Sequence, residues 1–96
     1  MSDSRLSVYV ISVAAEMVGT GVQNLRAYER AGLVTPGRTA GGTRLYSGDD
    51  ITRLRRVSAL LQAGLNLAGV AMVLKLEEEN TRLRSRLRRG KDADPR

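Results

Sequence analysis

The sequence contains no cysteine, no histidine, no tryptophan and no phenylalanine. The first two absences remove thiolate and imidazole metal sites, Cys or His nucleophiles and any disulfide framework. No residue pattern sets a nucleophile beside a base, and no glycine-rich loop is placed to cradle phosphate. An enzyme is therefore not expected, and neither is a cofactor or a metal. The apolar runs are too short to span a bilayer. The N-terminus lacks the charged region and hydrophobic block of a secretion signal, so the expectation is a cytoplasmic protein with no membrane partner. With 96 residues, there is room for one core and a tail or extra helix, but not for a second enclosed ligand domain.

What the chain has instead is arginine. Lys and Arg number 16 against 10 Asp and Glu, leaving a net charge of +6, and 14 of the 16 are arginine. The guanidinium plane is suited to bidentate recognition of phosphate and guanine. This bias points toward nucleic acid, although a solubilising basic surface gives the same count.

Residues 8–18, VYVISVAAEMV, begin with β-favouring residues and switch to small helix formers, with Ser12 placed to cap a helix opening at Val13. Gly19 and Gly21 bracket Thr20, and VQNLRAYERAG then reads as a second helix ended by Gly32. Two short helices across a tight turn make a helix-turn-helix candidate. At about 100° per residue, Val22, Leu25 and Glu29 share one side of the second helix, with Leu33 beyond its end, while Gln23, Arg26, Ala27 and Arg30 share the other.

The stretch LVTPGRTAGGTRLYSGDD, with Pro36 and several glycines, suits a β-hairpin or wing turning at Gly41 and Gly42. If TRLY is the return strand, Arg44 and Tyr46 point one way, and Thr43 and Leu45 the other, with Leu45 directed to the core. Ser47 and Asp50 then form a capping box. Ile51, Leu54, Val57, Leu60 and Leu61 follow at helical spacing on a helix expected to pack on the first two, with Arg53 and Arg56 facing water. A last helix is expected from Leu67 up to Gly90. Its Val73, Leu76, Asn80, Leu83 and Leu87 step by 3, 4, 3 and 4 residues, the spacing of a coiled-coil seam, over barely two heptads. KDADPR has no apolar anchor and reads as disordered. The organisation expected is a DNA-binding domain over 8–71, a dimerisation helix over 72–89, and flexible termini at 1–7 and 90–96.

The run LRAYERAGLVTPGRT and the run GGTRLYS resemble two motifs of MerR-type bacterial transcription regulators, Leu-Arg-x-Tyr-Glu-x-x-Gly-Leu-x-x-Pro-x-Arg and Gly-x-Arg-x-Tyr, in the right order and spacing. The resemblance covers roughly residues 9–76. YVISVAAE, RTAGGTRLYS and LNLAGV look closest to the branch that represses heat-shock chaperone operons. The family pattern implies a mainly α, winged helix-turn-helix domain with a small β-wing, its second helix in the major groove of double-stranded DNA. On that basis Gln23, Asn24, Arg26 and Tyr28 are the expected helix contacts and Arg44 and Tyr46 the wing contacts, with Arg38 and Thr43 supporting them on phosphate. Gln and Asn present paired donors and acceptors to adenine, Arg forks onto guanine or phosphate, and a tyrosine hydroxyl donates to phosphate oxygen. Three positions depart from the family pattern: Ala27 replaces a frequent aromatic, Gly21 the usual serine cap, and Val22 a frequent proline. Thr20 and Gln23 have capping-box spacing, so the helix start is open by one residue.

The resemblance also implies a homodimer through the helix that follows, in antiparallel fashion, with Val73, Leu76, Asn80, Leu83 and Leu87 as the seam. Glu77, Glu78 and Glu79 would then lie beside Arg82, Arg84, Arg86, Arg88 and Arg89 of the second copy. Asn80 favours a parallel pair instead, so orientation stays open. The effector-binding domain of many relatives is not expected here, and without cysteines neither is their metal sensing. The branch implies control by an Hsp70-type chaperone corepressor, by temperature or by protein level. The function expected is a homodimeric, nucleoid-associated repressor on an inverted-repeat operator of chaperone or stress genes. The alternatives are an architectural or excisionase-like factor binding as a monomer array, and an adaptor whose arginine-rich helix takes an acidic protein.

Overall fold

Val8, Tyr9 and Val10 are β-formers, and they begin a small antiparallel sheet. The computed structural model describes the backbone of residues 3–92 and the side chains of residues 3–90. The elements are β1 (Ser7–Val10), α1 (Ile11–Val18), α2 (Val22–Arg30), β2 (Gly37–Arg38), β3 (Arg44–Ser47), α3 (Gly48–Gln62) and α4 (Leu67–Asp92). The strand order is β1-β3-β2, which makes β3 the central strand, with β1 and β2 both antiparallel to it.

Helix α1 opens at Ile11 without a side-chain cap, so Ser12 lies inside it and is not its cap. Pairing to β3 holds Val10 extended at φ −69° and ψ 161°, and the sheet sets the helix start in place of a hydroxyl. Gly19 ends the helix in the left-handed region at φ 82°, with the Thr20 amide donating back to the Ala15 carbonyl. Helix α2 begins at Val22 with Gly21 as an N-cap that contributes no side-chain bond. The Thr20 hydroxyl caps nothing: it accepts from Nδ2 of Asn24 at 2.8 Å. Gly32, at φ 77°, lies just past the end of α2, and the Leu33 amide returns to the Tyr28 carbonyl.

The capping box of α3 is complete. Ser47 Oγ accepts from the Asp50 amide at 3.0 Å and an Asp50 carboxylate oxygen accepts from the Ser47 amide at 2.9 Å. Ile51, Leu54, Val57 and Leu60 are buried at the expected spacing. The main neighbours of α3 are α1, β3 and α4, so the expected packing on both early helices is met chiefly on α1. The core joins Ala14 and Ala15 of α1, Leu25 and Tyr28 of α2, Tyr46 of β3, these α3 residues, and Val70 and Leu74 of α4.

Helix α4 is continuous from Leu67 to Asp92, as expected of one helix from Leu67, and Leu74 within it is a core residue. Within residues 3–6 the Asp49 amide donates to the Ser4 carbonyl at 2.9 Å and the Leu6 amide to the Asp3 carbonyl at 3.0 Å. Of the other expected flexible positions, 90–92 are helical, and 1–2 and 93–96 lie outside the described residues. No helix among the described residues is long and apolar enough to cross a membrane.

Candidate nucleic-acid interface

Helix α2 buries Leu25 fully and Tyr28 to 7% exposure, which turns Gln23, Asn24 and Arg30 to solvent. Asn24 spends one amide hydrogen on Thr20, while its carbonyl oxygen stays available. Arg26 is half-buried, with its Nε sealed from solvent and unpartnered. Tyr28 belongs to the core, so at most its edge faces outward.

The wing is the β2–β3 hairpin. Gly42, at φ 86°, makes the turn, and the Gly42 amide donates to the Thr39 carbonyl and the Thr39 amide to the Thr43 carbonyl, each at 2.9 Å. A residue with a Cβ is strained at that φ. Thr43 is exposed beside the turn, its amide donating to Thr39 Oγ1.

Arg38 and Arg44 stand directly opposite one another across the two strands. Two like charges in that position repel, and here a carboxylate lies between them. Glu29 Oε2 accepts from Nη2 of Arg38 at 2.9 Å and Glu29 Oε1 from Nε of Arg44 at 2.5 Å, while Nη1 of Arg38 donates to the Gly42 carbonyl at 3.0 Å. The hydrogen bond from Arg44, joined by the charges of Arg44 and Arg38 against a smaller cost of burial, holds the Glu29 carboxyl below the usual carboxylate range. Glu29 was legible as an inward residue of α2. Its role was not, because its partners lie 9 and 15 residues away.

Glu29 follows Arg26 by one turn of α2, and residues at that spacing are surface neighbours. Helix α2 and the wing are thereby tied into one basic surface. Gln23, Asn24, Arg26, Thr43 and Arg44 keep groups open to solvent around it.

Tyr46 is a correction. Arg44 and Tyr46 do share a face of β3, but it is the inner face. Tyr46 is 0% exposed, its hydroxyl is buried without a partner among the described residues, and Leu45 is left half-buried. The cause is the pairing of β1, which makes β3 central and turns this side of the strand onto the helices. Burial, with the Glu29 charge second, pushes the Tyr46 phenol above its ordinary pKa. Tyr46 thus has no path to a phosphate.

A second correction concerns the charges on α3. Arg53 and Arg56 do not simply face water: Arg53 pairs with Glu78 and donates to the Leu33 carbonyl, and Arg56 Nη2 pairs with Glu77 at 2.6 Å. Two of the three acidic residues expected to meet a second copy are thus engaged by their own domain. Leu76, Leu83 and Leu87 are exposed at 59%, 53% and 74%. Asn80 is exposed beside them and Val73 is half-buried.

A two-helix unit braced to a hairpin in this way defines a winged helix-turn-helix domain. Residues 9–77 match the MerR HTH family of regulatory proteins, and the chain belongs to that family. It is 51% identical over 80 residues to a Streptomyces coelicolor protein that carries the name heat shock protein HspR, covering 82% of this chain and 53% of that one. It is 35% identical over 83 residues to the HTH-type transcriptional regulator GlnR of Bacillus anthracis, covering 84% and 64%. The chain thus spans between half and two thirds of the length of these relatives. Among solved structures, HiNmlR, a MerR family regulator lacking the sensor domain and bound to promoter DNA, superposes with a TM-score of 0.64 at 25% identity, covering 88% of this chain and 78% of that one. The N-terminal part of the Bacillus subtilis multidrug transporter activator MtaN gives 0.65 at 24%, covering 88% and 89%, and supports the fold.

Proposed function

We propose that the protein is a sequence-specific, double-stranded-DNA-binding transcription regulator, a homodimeric repressor acting on an inverted repeat. Helix α2 enters the major groove with Gln23, Asn24 and Arg26 on base edges, and the edge of Tyr28 reaches toward the backbone. The wing sets Arg44 on the adjoining phosphates, with Thr43 in support. The observation that carries this reading is the Glu29 bridge, which fuses reading helix and wing into one rigid basic surface. The promoter-bound relative HiNmlR, of like fold, supports it.

The exposed seam of Leu76, Asn80, Leu83 and Leu87 supports pairing of two copies through α4, with Val73 at its inner end. Likeness to HspR supports chaperone or stress genes as targets. An Hsp70-type chaperone as corepressor and residence on the nucleoid are the finer parts of the same reading, and binding of a purified chaperone to the protein–DNA complex tests the first.

The central test maps the genomic sites bound in cells and then compares a cognate duplex with a scrambled one. Arg26→Ala is expected to lower the ratio of the two affinities by about 5- to 150-fold, the worth of roughly 1–3 kcal/mol for a lost bidentate base contact. An unchanged ratio removes α2 from base reading. A protein that sediments as a monomer and covers direct repeats in arrays belongs to the architectural class instead.

A further inference from the structure

Arg38 and Arg44 look interchangeable, being cross-strand partners bonded to the same carboxylate. Their free atoms differ. Arg44 is held only through Nε, and among the described residues its two Nη atoms take no hydrogen bond, while neither is among the sealed, unpartnered atoms. Arg38 donates from both Nη atoms, one N–H of each, to Glu29 and to the Gly42 carbonyl at the wing turn. The edge of a guanidinium that forks onto a phosphate is a pair of parallel N–H groups. Arg44 presents such an edge. Arg38 has one hydrogen of each Nη bound to the protein, on two different acceptors, and is held from both sides.

Resting on the DNA-binding reading above, we propose that Glu29 is a positioning residue that divides the labour of the wing. It pins Arg44 by Nε, so that the Nη edge is aimed at a backbone phosphate before DNA arrives, and it turns Arg38 into a strut that ties the wing turn to α2. Arg44 then counts as a phosphate contact and Arg38 does not. A fixed guanidinium loses less rotamer freedom on binding than a free one.

The assignment is read from the salt dependence of binding to a labelled duplex of mixed sequence, where each phosphate neutralised contributes about 0.9 to the slope of log affinity against log salt. Arg44→Gln is expected to flatten the slope by about 0.9, so that between roughly 50 and 200 mM salt the variant loses about threefold less affinity than the parent. Arg38→Gln is expected to weaken binding while leaving the slope in place. Glu29→Gln frees Arg38, steepening the slope by about 0.9, and in that background Arg38→Gln should reverse the gain. Circular dichroism melts confirm that each variant is folded.

Equal slope losses from Arg38→Gln and Arg44→Gln in the parent background overturn the division of labour while leaving DNA binding intact. An Arg38 that stays silent after Glu29→Gln overturns it as well. A parent protein that binds no duplex at low salt overturns the DNA-binding reading, and this inference with it.

Discussion

Tyr46 and Glu29 are the residues at which local chemistry and position diverge most. A buried phenol with no partner gives up its hydration for nothing in return, so Tyr46→Phe is expected to leave the melting point unchanged or raise stability by up to about 1 kcal/mol. DNA affinity should not change. A clear loss of affinity with an intact melt would restore Tyr46 as a contact. The alternation of β3 was readable from the strand itself; which face was inner was not, because it depends on pairing with β1, far earlier in the chain. Glu29 adds a pH signature. Its folded pKa lies below the unfolded value of about 4.3, so the stability it confers is full above that value and fades as pH falls through the depressed one. Glu29→Gln should melt lower than the parent at neutral pH, and the gap should close on acidification toward pH 2–3, roughly. A gap of constant size would show that the bridge contributes nothing through its charge.

At the scale of elements, the legible features were those whose causes lie within one helical turn. The Ser47–Asp50 box was readable because its two halves sit within a single turn of each other, next to a run with helical apolar spacing. The start of α1 falls at Ile11 and not at Val13 behind Ser12, because a hydroxyl is a visible cap, whereas an incoming strand is not. Ser47→Ala removes one half of the box from a buried site and is expected to cost about 1 kcal/mol. In a domain this small that corresponds to a drop of roughly 4–8 °C in melting temperature. A melt unchanged within about 1 °C would mean that the first turn of α3 is held by the strand leading into it, not by the cap.

Across the whole molecule, charge placement runs against the expectation of a self-complementary arm. Glu77 and Glu78 are satisfied by arginines 21 and 25 residues earlier on α3, a pairing that no local spacing reveals. Exposed ion pairs of this kind add little stability, so they orient α4 more than they stabilise it. The apolar seam was legible because its 3-4 step is local, and it stays uncovered in the single chain. Leu83→Asp combined with Leu87→Asp should give a sedimenting monomer whose melting temperature no longer rises with protein concentration, since association stabilises by mass action. Persistence of a dimer would locate the contact elsewhere.

Helix α4 is rooted in the core at Val70 and Leu74 and continues unbroken past Leu87. If two copies join through its outer half, α4 works like a shaft with a reading head fixed to it. Each residue inserted between Leu76 and Asn80 would turn the two halves of the shaft by about 100° relative to one another and lengthen it by about 1.5 Å. Single insertions should therefore throw the paired heads out of phase with the duplex. Seven residues, close to two full turns, should nearly restore the phase while moving the preferred half-site spacing.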